Sequence, residues 1–146
     1  MNNPYDEIVS YLCIGSSAAI KDYHKFTLIV NCTKNIDHNK NIINIPINDD
    51  PLECHNFLSL MSKTQVLDKI HTCLMNNQPV LVHCQAGMQR SCALVACYLI
   101  KYNYMESSNA IQFIRLKRHI AFFGAVNFQT AIDLFYLSTI RSQIII

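Results

Sequence analysis

VLVHCQAGMQRSCALVACYLI, residues 80–100, passes through three physical characters in succession. VLVH is a β-branched apolar run of the kind that forms a fully buried strand, CQAGMQ is a short loop with one glycine, and from Arg90-Ser91 the spacing turns helical. A strand that empties through a tight loop into a helix can aim the loop's N–H groups and those of the first helical turn at one point. Such a point is an anion site. Gly87 permits the backbone this needs, and Arg90 supplies a planar fork that can grip two oxygens of one phosphate. Cys84 opens the loop, where the same donors favour thiolate over thiol, and a thiolate beneath a bound phosphoryl group is a nucleophile in position. Ser91 can donate a hydroxyl hydrogen bond to the sulfur and ease its departure in a second step.

The rest of the chain bounds the setting. With 146 residues, 51% apolar and 15% charged, the sequence predicts one compact domain over residues 1–146. A formal charge of +2 is too small for general nucleic-acid binding, so no nucleic-acid partner is expected. Seven cysteines, odd in number and without a CxxC pair, predict a reduced intracellular protein. The start, MNNPYDEIV, is not a signal peptide and no apolar run approaches a membrane span, so the cytoplasm is the expected compartment and no membrane partner is expected. The chain begins almost at its first strand, so little N-terminal extension is expected to serve dimerisation or targeting. The six histidines lack ligand spacing, so no metal site is expected. The apolar end, SQIII, is suited to docking on the domain or on a second subunit.

Along the chain, EIVSYLCIG reads as a strand ended by Gly15, and SSAAIKDY as a short helix with a Ser cap. FTLIVNCT is a buried strand, KNIDHNK a loop, and NIINIPI a third strand ending in the turn signal NDDP. Leu58, Met61, Val66, Ile70 and Leu74 predict one helix from about Phe57 to Met75, ahead of the strand VLVHC. Helices are then predicted from Ser91, from Ser107 or Ser108, and over VNFQTAIDLFYLSTI. Strands interleaved with helices, then helices alone, predict an α/β fold: a central mixed sheet of about five strands with helices on both faces.

HCQAGMQRS resembles the signature loop of the cysteine-dependent protein tyrosine phosphatases: His-Cys, five residues, then Arg followed by Ser or Thr. YLCIGSSAAI, LIVNCT, NIINIPINDD, QPVLVHCQAG and ALVACYLI are similar to segments of the dual-specificity branch. NIINIPINDD and QPVLVHC look closest to poxvirus-type enzymes, which points to a viral member. The resemblance implies a protein tyrosine phosphatase-like fold and hydrolysis of phosphotyrosine, and of phosphoserine and phosphothreonine, through a phosphocysteine on Cys84, with phosphorylated proteins as partners and no cofactor or metal. It implies phosphate binding by Arg90 and by the loop residues Gln85, Ala86, Gly87, Met88 and Gln89, and a tuning role for His83.

Alignment on IPIND implies Asp49 as the general acid and base, with Asp50 the adjacent alternative. The spacing of 35 residues from Asp49 to Cys84 is longer than the branch leads one to expect, which implies a small insertion in PLECHNFLSLMSK. Arg118 matches a basic position that in some members meets a second phosphate, against the alternative of a solvated cation near a helix end. Arg115 and Lys117 read as solvated cations, and Cys92 as a small inward-facing helix residue. Gln89 stands where the branch often has Ser, and Gly124-Ala125 where it has Pro-Asn, which weakens the expectation of a rigid loop.

The same chemistry on an RNA 5′-triphosphate or a phosphoinositide is disfavoured. QAGMQ has none of the lysines of lipid-acting relatives and does not match the HCTHG of RNA-acting ones. A non-catalytic phosphoprotein-binding module is the remaining alternative, and such proteins usually lack the nucleophile, the arginine or the acid.

Overall fold

A computed structural model describes residues 3–144, with the side chain of Ile144 and the end of the apolar tail outside the described residues. Five strands form one sheet: β1 (Tyr5–Val9), β2 (Leu12–Gly15), β3 (Leu28–Asn31), β4 (Ile42–Asn44) and β5 (Val80–His83). The spatial order is β1-β2-β5-β3-β4, with β1 and β2 antiparallel and the other pairs parallel. VLVH is thus the central strand and is buried along its whole length, as its unbroken apolar character requires. Its neighbours end level with it, since Gly15 and Asn31 both pair with His83. Cys84 therefore leaves the sheet at the carboxyl ends of three parallel strands, the edge where open α/β sheets place their ligands.

Helices cover the two faces unequally. Val80, Val82, Leu12, Ile14 and Val30 belong to the larger core beneath five helices: α1 (Cys54–Thr64), α2 (Val66–Met75), α3 (Arg90–Asn103), α4 (Ser107–Lys117) and α5 (Gln129–Ile144). Leu81, Ile29 and Ile42 point the other way, onto Ala19 and Phe26 around a 3-10 helix at Ser17–Lys25. Residues 91–100 of α3 are all buried, so this helix is the centre of the core and its first turn is rigidly held behind the loop. No helix among the described residues is long and apolar enough to cross a membrane.

Two elements differ from the sequence expectation. EIVSYLCIG is not one strand but a hairpin turning at Ser10-Tyr11. Tyr11 takes the left-handed conformation (φ 72°) that residues of its kind avoid, and its N–H donates to Glu7 Oε2 at 3.1 Å, so no glycine or asparagine marks the turn. The expected single helix is broken at Gln65 (φ 54°, ψ 36°), which ends α1 and starts α2. The step of five residues from Met61 to Val66 carries the break: a continuous helix would rotate Val66 away from the core, and the left-handed residue restores its phase.

Candidate active site

The loop after β5 is held from behind by its own carbonyls. Gln85 O accepts from Ser17 N at 3.0 Å, Met88 O from Phe122 N at 2.7 Å, and Gln89 O from Ala93 N at 2.8 Å. Gly87 O and Ala86 O accept from Arg118 Nε at 2.9 Å and Nη2 at 3.4 Å. All five carbonyls from Gln85 to Gln89 are engaged in this way, which leaves the loop's N–H groups as donors for an anion above Cys84. Gly87 takes φ +69°, and a Cβ there would lie 2.6 Å from Arg118 Nη2 and 2.7 Å from Gly15 O. The single loop glycine is therefore required twice, by conformation and by space.

Cys84 is buried, with its Sγ 3.1 Å from Ser91 Oγ. Arg90 opens α3, and its Nη1 donates to Ile47 O at 3.0 Å. Its Nε is buried without a hydrogen-bond partner among the described residues, an arrangement that asks for an acceptor. His83 is buried beside Tyr23, whose hydroxyl lies 2.5 Å from Nε2, while Nδ1 makes no hydrogen bond among the described residues. Burial lowers the His83 pKa, against the opposing influence of the Cys84 backbone and Asp37, so the ring is kept neutral. Burial also pushes up the thiols of Cys32 and Cys92, with a further contribution from Cys84. The reading of Cys92 as an inward-facing helix residue agrees with its place in the core, where Sγ lies 3.5 Å from Gly87 O.

The two neighbouring aspartates separate by what each side chain touches. Asp50 Oδ1 accepts from Leu52 N at 2.9 Å and caps a short 3-10 helix at Pro51–Glu53, so the turn-forming role belongs to it. Asp49 is exposed, and its Oδ1 accepts from Asn127 Nδ2 at 2.9 Å. The longer spacing to Cys84 is taken up by the 3-10 helix and α1, which carry PLECHNFLSLMSK.

Arg118 makes its hydrogen bonds within the protein. It is 2% exposed, and besides the two loop carbonyls its Nη1 donates to Asp6 Oδ2 at 2.8 Å and Asn3 O at 3.1 Å. Four of its N–H donors are engaged inside the protein, bracing the loop against β1, so it is not a solvated cation. Arg115 also does more than face solvent, donating to Phe122 O at 3.1 Å with its guanidinium over the Phe122 ring. Gln89 does not loosen the loop: its Nε2 donates to Ala125 O at 2.6 Å and Phe123 O at 3.3 Å, and its Oε1 accepts from Asn127 N at 3.0 Å. Tyr23, Asn127 and Asp6 were not singled out by sequence. Each reaches the site from more than 35 positions away, with no local pattern to mark it.

The chain matches the family described as dual specificity phosphatase, catalytic domain, over residues 10–136. It is 34% identical over 97 residues to the protein provisionally named tyrosine phosphatase 123R of Invertebrate iridescent virus 6, covering 66% of each chain. With dual specificity protein phosphatase OPG106 of vaccinia virus (strain Copenhagen) the identity is 37% over 96 residues, covering 62% of this chain and 52% of the relative. The chain thus spans between half and two thirds of the length of these viral relatives. The crystal structure of human DUSP28 is similar in fold, with a TM-score of 0.79 at 20% identity over 94% of this chain and 96% of the other. From the family match over most of its length, the chain belongs to the dual specificity phosphatase family.

Proposed function

We propose that this protein is a cysteine-dependent phosphatase that removes phosphate from phosphotyrosine, and from phosphoserine and phosphothreonine, in protein substrates. The observation that carries the reading is the loop with every carbonyl engaged behind it, Cys84 at its base and an Arg90 Nε that has no partner among the described residues. Cys84 Sγ attacks phosphorus, and the P–O bond to the leaving group breaks as Asp49 delivers a proton to the departing oxygen. Water, deprotonated by Asp49, then attacks the phosphocysteine and releases inorganic phosphate and the thiolate. Ser91 Oγ, 3.1 Å from Sγ, donates to the sulfur as it leaves. Charge on the equatorial oxygens is met by Arg90 and the N–H groups of Gln85, Ala86, Gly87, Met88 and Gln89, which are fixed before substrate arrives. His83, neutral and bonded to Tyr23, holds the base of the loop and does not shuttle protons.

The capping bond of Asp50 supports Asp49 as the acid. Residues 1–146 act as one catalytic domain, and seven unpaired thiols favour the cytoplasm as its compartment. The matches to an iridescent virus and to vaccinia virus support a viral source. The test is a panel of phosphotyrosine, phosphoserine and phosphothreonine peptides with the wild type and Cys84→Ser. Release of phosphate by the wild type alone is expected. Binding without release by the wild type would turn the reading toward a phosphoprotein-binding module.

A further inference from the structure

The hydrogen bonds around Gln89 form a chain that leads from the signature loop to Asp49. Gln89 is 5% exposed, yet its side-chain amide is fully used, with two bonds to the carbonyls of Phe123 and Ala125 and one from the Asn127 N–H. A buried amide satisfied in this way fixes the segment it grips. The grip sets the backbone of Asn127, whose Nδ2 donates to Asp49 Oδ1 at 2.9 Å. The next residue, Phe128, is fully buried against Phe57 of α1, with ring centroids 5.3 Å apart, and α1 lies just downstream of Asp49. Asn127 is thereby held from the loop side and from the core side.

We infer that Gln89 and Asn127 are positioning residues for the general acid, and that the inference rests on the phosphatase reading with Asp49 in that role. The Asn127 amide occupies Oδ1, which leaves Oδ2 to carry the proton and fixes the direction in which it is presented. Proton delivery is sensitive to such placement, because a displacement of about 1 Å costs on the order of 100-fold. Arg90, through Ile47 O, ties the segment between β4 and Asp49 to the same loop. Nucleophile, phosphate grip and acid are thus registered on one another through the residue that replaces the branch's frequent serine.

The test uses two aryl phosphates, one with an acidic phenol that departs unaided and one with a phenol that needs its proton, and compares wild type, Asn127→Ala, Gln89→Ser and Asp49→Asn. Asn127→Ala is expected to lower kcat on the poor leaving group about 10- to 100-fold while leaving the good one within about 2-fold and KM unchanged. Gln89→Ser, which also touches the phosphate-binding loop, should show the same excess loss on the poor leaving group beyond any loss the two substrates share, and Asn127→Ala should add nothing in the Asp49→Asn background. Equal losses on both substrates, or a further loss in the Asp49→Asn background, would overturn the inference. An NMR readout stands apart from turnover: the Asn127 side-chain amide signals should shift when Asp49 is replaced by Ala, and unmoved signals would refute the hydrogen bond itself. If Asp49→Asn instead leaves both substrates unaffected while the amide signals shift, the acid assignment fails and the contact stands.

Discussion

Replacing Arg118 by Met separates a brace from a substrate contact. Met reproduces the apolar stem of Arg as far as Nε and removes the guanidinium. Among its acceptors, Asn3 is exposed, Ala86 is exposed and Asp6 keeps 21% of its side-chain surface, so all three can turn to water. Gly87 O sits on a buried residue and cannot, apart from its long contact with Cys92 Sγ. An orphaned buried carbonyl costs about 1–3 kcal/mol, and loss of the ion pair to the partly exposed Asp6 adds about 1 kcal/mol. The expected loss is roughly 2–4 kcal/mol, a sizeable share of the ~5–15 kcal/mol that holds a domain of this kind. Urea unfolding should show a lower midpoint with an unchanged slope, and Tm should fall by roughly 5–15 °C. Because the loop loses its brace, kcat/KM should fall by the same factor on singly and doubly phosphorylated peptides. A variant of wild-type stability that loses only its preference for doubly phosphorylated peptides would refute the reasoning and restore Arg118 to the substrate.

Gly87→Ala forces a left-handed alanine, costing about 1–2 kcal/mol, and drives its Cβ into the Gly15 backbone, so binding of oxyanions such as vanadate should fall at least about tenfold by calorimetry. His83 is held neutral by burial, so the unfolded chain binds a proton more readily than the folded one. Its share of stability is complete above the unfolded value near ~6.5 and is lost as pH falls toward the depressed folded value. Urea midpoints at mildly acid and neutral pH should therefore differ more for the wild type than for His83→Asn. Gln65→Gly, at φ 54°, should raise stability by about 1 kcal/mol in the same assay without changing activity.

The covalent half of the site is legible because it is local. Strand, loop and helix start lie within VLVHCQAGMQRS, and the geometry that makes an anion site is set by neighbours in sequence. Asp49 was reachable only through resemblance, and its separation from Asp50 needed the capping bond to Leu52. What sequence could not give are the supports that arrive from elsewhere. Arg118 and Asp6 meet across 112 positions, and a basic residue near a helix end carries no mark that it will be buried. Gln89 read as a weakened position because its value lies in three bonds to residues 34 to 38 places away. The hairpin at Tyr11 and the break at Gln65 were hidden for a related reason: each left-handed residue is imposed by packing and local hydrogen bonds, against its own preference.

The central claim is that Cys84 carries the phosphoryl group. Asp49→Asn should slow release of the intermediate, so acid quenching of this variant during turnover of an activated aryl phosphate, followed by peptide mass spectrometry, tests it most directly. One phosphoryl group on the peptide containing Cys84, absent in Cys84→Ser, is the predicted result. Turnover by Cys84→Ser at the wild-type rate, or the phosphoryl group on any other residue, would contradict it.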